Sequence, residues 1–140
     1  GRRAMGYPGR DAERDVRRGL SRQAATEGAV IDPEGVRALR RACGEVRVHA
    51  EIEDYLLDLV AASRVHPALS RGASTRGAEA LLRASRARAL LDERSFVIPE
   101  DVRAMAVPVL AHRVIPRAET GIDAGAVAIA EVLSTLPPPV

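Results

Sequence analysis

The chain has 140 residues, enough for one domain with a single core, and 46% of them are hydrophobic. Only Tyr7, Tyr55 and Phe96 are aromatic; 25 Ala, 15 Val, 13 Leu and 6 Ile supply the apolar mass, a composition that suits closely approaching helices. All 21 basic residues are arginine and there is no lysine or asparagine, the mark of GC-rich coding; against 19 acids the net charge is +2, too feeble a field to point to a nucleic-acid partner.

Gly1, Gly6, Pro8 and Gly9 make the opening stretch unlike the natural start of a domain. A short charged helix is expected over Asp11–Leu20, with Ala12, Val16 and Leu20 on one side, followed by a loop over 21–31. Asp32-Pro33-Glu34 opens the next helix, because Asp caps free amides and Pro loses no needed bond at the first position. It should run to about Cys43 and stop at Gly44, with Val36, Leu39 and Cys43 inward. Val46 and Val48 alternate with charged residues and predict a short extended piece. Ile52, Tyr55, Leu56, Leu59, Val60 and Ser63 then recur with helical period, and Pro67 and Ser70-Arg71-Gly72 break that helix.

A long Ala-rich helix follows from about Thr75 to Glu93, expected to bury Ala78, Leu81, Leu82 and Ala89. Phe96-Val97-Ile98 is a second extended piece, and Pro99-Glu100-Asp101 opens a helix carrying Val102, Met105, Ala106, Val109 and Leu110. Pro108 should break or kink it after Ala106. Val114-Ile115 is a third extended candidate. Ile122, Ala126, Ile129, Ala130 and Leu133 define the last helix, before a proline-rich tail at 137–140. The expected fold is all-α: about five helices over 11–136, with at most a minor β element. Its core is expected from Ile52, Tyr55, Leu56, Leu59, Leu81, Leu82, Val102, Leu110, Ile129 and Leu133.

Several chemistries are absent from the pattern. No run of about 18 apolar residues suggests a membrane span, and no secretory pattern is present. A lone Cys43 argues against disulfides and multi-cysteine zinc sites and reads as a small buried hydrophobe. Without lysine there is no phosphate-binding P-loop. His49, His66 and His112 lack metal-ligand spacing, so no metal site is expected and they read as surface or capping groups. Glu51, Glu53, Asp54 and Asp58 flank an apolar stripe, as a solvated helix face does. Arg37, Arg40, Arg41 and Arg47 cluster enough to keep open an alternative reading as a helical DNA-binding or adaptor domain, although no recognition helix is apparent.

Gly72-Ala73-Ser74-Thr75-Arg76-Gly77 stands out. Small residues permit a sharp turn and a close approach, and Ser74 can cap a helix whose free amides and dipole favour an anion. Arg76 adds a cation with bidentate phosphate geometry on the first turn.

Tyr55-Leu56-Leu57-Asp58-Leu59-Val60-Ala61-Ala62-Ser63-Arg64, His66-Pro67 and Gly72-Ala73-Ser74-Thr75-Arg76 resemble, in order and spacing, the helical lid of the MoxR family of AAA+ ATPases. So do Phe96-Val97-Ile98-Pro99-Glu100-Asp101-Val102 and Val109-Leu110-Ala111-His112-Arg113. Gly6-Tyr7-Pro8 is similar to the segment leaving the family's ATPase core, and Leu136-Pro137-Pro138-Pro139 to the end of its lid. The resemblance covers nearly the whole chain. It implies that Arg76 is the second-sensor arginine, reaching the γ-phosphate of ATP, and that Tyr7, Pro8, Ser74 and Thr75 border the nucleotide.

The resemblance also implies that residues 1–10 are a remnant of the linker from the core. Mg²⁺ and the remaining catalytic groups would belong to that core, so the 140 residues alone would hydrolyse no ATP. The implied partners are the chain's own core, neighbouring subunits of a cytoplasmic ring and a von Willebrand factor A-domain protein. Four departures from the family pattern bear on the lid. Thr75 replaces proline and Gly77 replaces alanine, loosening the first turn; Glu93 stands where glycine ends the long helix; Ile98 replaces a capping threonine.

Overall fold

The computed structural model describes residues 32–118 and 123–140. The expected linker, the helix at 11–20 and the loop at 21–31 lie outside the described residues, as does Ile122. Among the described residues there are five helices: α1 (Pro33–Gly44), α2 (Ala50–Arg64), α3 (Thr75–Leu91), α4 (Pro99–Leu110) and α5 (Ala124–Thr135). Two short strands, β1 (Leu69–Arg71) and β2 (Ile115–Pro116), form the accompanying sheet. The all-α expectation holds.

Helix starts follow local chemistry. Asp32 Oδ1 accepts the Gly35 N–H at 2.7 Å ahead of Pro33, and Asp123 Oδ1 accepts the Ala126 N–H at 3.1 Å ahead of α5. The stripe expected on α2 is buried in full, from Ile52 to Ser63. The first two extended pieces find each other: Arg47 N–H donates to Ser95 O at 2.8 Å and Val97 N–H to Arg47 O at 2.9 Å, a parallel bridge of Arg47 with Phe96 that has buried Val46 and Val97 beside it.

Four expectations need correcting. Ser70 and Arg71 do not merely break the chain: β1 pairs antiparallel with β2, Leu69 opposite Pro116 and Arg71 opposite Ile115, with an irregularity between. Ser70 Oγ donates to Ile115 O at 3.1 Å, a partner 45 residues away that no local pattern announces. Pro108 does not end α4, which runs on to Leu110. Its ring is exposed and it lies in the last turn, where Ala111 N–H still reaches Val107 O at 3.0 Å, so its missing donor costs one bond at most. Leu82 is only half-buried, because the buried side of α3 steps through Gly77, Ala78, Leu81, Ser85, Ala89 and Leu90. Cys43 and Leu133 are likewise half-buried, packed against the core.

The core gathers Leu59, Leu81, Leu90, Leu110 and Ile129, with Val60, Val97 and Val102 between them. The most extensive packing is α3 on α4. α3 ends in a Schellman motif: Glu93 N–H donates to Leu90 O and Arg94 N–H to Ala89 O, both at 2.9 Å. Glu93 takes φ of 58°, the left-handed conformation that a glycine would adopt without penalty. At the far end, Arg103 Nη1 donates to Tyr55 Oη at 2.7 Å, Leu133 O at 3.1 Å and Leu136 O at 3.3 Å, while Tyr55 Oη donates to Leu136 O at 3.2 Å. A buried tyrosine thereby keeps its hydroxyl paired.

Candidate functional site

The small-residue corner before α3 is built from the end of α2. Ser63, fully buried, donates its hydroxyl to Val60 O at 2.7 Å and accepts the Ala73 N–H at 2.9 Å. Arg64 Nε donates to Ala73 O at 2.8 Å. Both polar backbone groups of a residue that is 1% exposed are thus satisfied by neighbouring side chains of α2. Gly72 is required here: a Cβ on it would stand 2.5 Å from the Arg64 Cα and N and the Ser63 carbonyl carbon. Only glycine lets the two backbones lie this close.

From that anchor the chain enters α3 directly. Ser74 is the N-cap, its Oγ accepting the Gly77 N–H at 3.3 Å, and Thr75 is the first helical residue. Arg76 lies on the first turn, exposed, and among the described residues it has no hydrogen-bond or ion-pair partner. Gly77 is buried: a Cβ there would come within 3.3 Å of Ala73 Cβ and 3.4 Å of Leu110 Cδ2. Its missing side chain lets the first turn lie close to α4. Arg113 Cδ passes 3.8 Å from the same point, so a second exposed arginine flanks this turn. Its signal in the sequence was the His112-Arg113 pair after α4. Ser74, Thr75 and Arg76 follow one another at the start of α3, while Tyr7 and Pro8 lie outside the described residues.

The residue that sequence reasoning missed is Asp101. It is fully buried and accepts from Arg94 Nη1 and Nη2 and from Arg88 Nη1, each at 2.7 Å, and from the Ile98 N–H at 2.9 Å. Burial alone would raise its pKa, but the bonds from Arg94, Ile98 and Arg88 outweigh it and hold the carboxyl below its ordinary value. Ile98 has no side-chain oxygen to cap α4, and Asp101 reaches back from the third helical position to satisfy its N–H instead. The group stabilises the α3–α4 turn and faces no open site.

The other titratable residues have structural surroundings. His66 Nδ1 accepts the Ala68 N–H at 3.0 Å and its Nε2 lies 3.0 Å from Glu131 Oε1. Burial pushes the Cys43 thiol pKa up, against the opposing charge of Arg86. Glu51, Glu53, Asp54 and Asp58 are exposed, as are Arg37, Arg40, Arg41 and Arg47. Among the described residues, no group of three or more His, Cys, Asp or Glu side chains is placed to hold a metal, and no helix is long and apolar enough to cross a membrane.

Comparisons with known proteins place this helical bundle among AAA lid domains. The crystal structure of a provisionally assigned ATPase from Cytophaga hutchinsonii superposes with a TM-score of 0.70 at 26% identity, over 97% of this chain and 45% of that one. The uncharacterized protein YeaC of Bacillus subtilis is 36% identical over 97% of this chain and 44% of its own length. Protein MoxR of Paracoccus denitrificans is 54% identical over 31% of this chain and 13% of its own length. Chaperone MoxR1 of Mycobacterium tuberculosis is 29% identical over 79% of this chain and 32% of its length. The AAA lid domain family matches residues 61–131. The chain belongs to that family and is a lid of the MoxR type of AAA+ ATPase. It spans less than half the length of these relatives.

Proposed function

We propose that the chain is a nucleotide-sensing lid, and that Arg76 is its second-sensor arginine. The supporting observation is an exposed guanidinium with no described partner, held on the first turn of a helix whose approach is fixed by Ser63, Arg64 and Gly72. The described residues fit one part of a nucleotide site: a cation and helix-terminal amides suited to phosphate, with no carboxylate cluster for a metal. ATP with Mg²⁺, held by a nucleotide-binding core, would supply the phosphoryl group. Arg76 meets the γ-phosphate when the lid closes, adds a cation where charge shifts during transfer, and couples lid angle to nucleotide state. Ser74 and Thr75 border the same nucleotide, as do Tyr7 and Pro8 on this reading.

On this reading the working protein is a cytoplasmic, chaperone-like ATPase ring. Neighbouring subunits respond to the lid, and a von Willebrand factor A-domain protein is a partner. The test is turnover by the lid joined to its core. Arg76→Ala should leave folding nearly intact and lower hydrolysis roughly ten- to a thousandfold, about 1.4–4 kcal/mol in the barrier. Arg71→Ala, at an exposed arginine on β1, should change it far less. Parent-like turnover in Arg76→Ala would remove the assignment. The 140 residues alone should hydrolyse no ATP.

A further inference from the structure

We propose that Ser63 and Arg64 are positioning residues for Arg76, acting through a backbone strap at Gly72-Ala73; the inference rests on the second-sensor reading of Arg76. Ser63 takes the Ala73 N–H and Arg64 takes the Ala73 carbonyl, at 2.9 and 2.8 Å, so α2 determines both polar ends of one buried residue. Ser63 is itself tied to Val60 O. The strap has one register, because sliding it would leave the Ala73 N–H buried and unpaired and would drive a residue with a Cβ into the Gly72 position against Arg64. Ser74 caps α3 one residue later, and Arg76 lies two residues beyond that cap.

Only Ser74 and Thr75 therefore separate the pinned carbonyl from the residue that carries the sensing guanidinium, and α2 moves with the first turn of α3 as one piece. A lid that must bring one cation to one phosphate needs this rigidity, since misplacing a reacting contact by about 1 Å can cost on the order of a hundredfold in rate. The strap supplies orientation without touching nucleotide.

The test uses the lid joined to its core. Ser63→Ala and Arg64→Ala should each lower kcat for ATP by about tenfold. Arg64→Lys, which keeps a cation and a donor, should recover most of the loss. In an Arg76→Ala background Ser63→Ala should cost less than about twofold more, because its effect is routed through Arg76. Without nucleotide, amide exchange at Ala73 and Gly77 should quicken by at least about tenfold in Ser63→Ala while amides of α4 stay protected.

Equal losses in the presence and absence of Arg76 would overturn the inference, as would unchanged exchange at Ala73. If Ser63→Ala fails to fold, Arg64→Ala and its double variant with Arg76→Ala decide the same question. If Arg76→Ala lowers turnover but the strap variants match the parent, the strap inference alone falls. If Arg76→Ala is itself parent-like, both fall together.

Discussion

Arg94 grips Asp101 with both terminal guanidinium nitrogens, Nη1 to Oδ2 and Nη2 to Oδ1 at 2.7 Å each, across the turn that joins α3 to α4. The pair does more than bridge two helices. Arg94 Nη1 also donates to Phe96 O at 3.1 Å, and Asp101 takes the Ile98 N–H, so both ends of the intervening segment are tied to one buried carboxylate. That segment carries the bridge to Arg47.

Asp101→Asn should destabilise the domain by about 3 kcal/mol at neutral pH, because a partly buried Arg94 loses its buried counter-charge and keeps only the exposed Asp92. The pH dependence has a definite sign. The folded carboxyl titrates below its ordinary value, so between the two values the unfolded chain binds more protons. The stability this group contributes is complete above about pH 4–5 and fades as pH falls through the folded value. Urea unfolding at pH 7, 4 and 3 should show the gap between parent and Asp101→Asn closing on acidification. A gap independent of pH would contradict the assignment.

Leu81 is fully buried and Leu82 only half-buried. Leu81→Ala should cost about 2–5 kcal/mol, and Leu82→Ala at least about 1 kcal/mol less. Equal losses in denaturant midpoint would mean that α3 is rotated from the orientation described.

Two substitutions at backbone-determined positions should act in opposite directions. Gly72→Ala brings a methyl group against the backbone of Arg64 and should cost about 3 kcal/mol, the upper end of overpacking. Glu93→Gly relieves a left-handed side chain and should stabilise by about 1 kcal/mol, visible as a raised melting temperature. A lowered one would show that the Glu93 side chain contributes more than its backbone costs.

Helices were legible because their signals are local. Asp32-Pro33 and the α2 stripe need only neighbours three or four residues away, and both appear as read. Ser63 was legible as buried, by its place on that stripe, but its hydrogen bond to Ala73 joins elements that only tertiary packing brings together. Asp101 looked like one more acid in a first helical turn, and nothing in its spacing announces Arg88 and Arg94. The β1–β2 pairing was hidden for a similar reason, since strands of three and two residues carry no measurable alternation. Leu81 and Leu82 differ by one step around the helix, and an Ala-rich surface gives few markers to show that only Leu81 is fully buried.

The bridge at Arg47 also bears on how the domain comes apart. Among the described residues α1 packs chiefly on α3 and buries only Ala42 fully, with Leu39 and Cys43 half-buried, so its detachment exposes less apolar surface than loss of α2 would. The bridge follows within a few residues and ties the chain to the α3–α4 turn, with Val46 and Val97 sealed beside it. Fraying that begins in α1 is therefore arrested at Arg47 before it reaches α2. A protease entering through α1 would trim the chain stepwise and stall, leaving a resistant body whose first ordered residue is Val46.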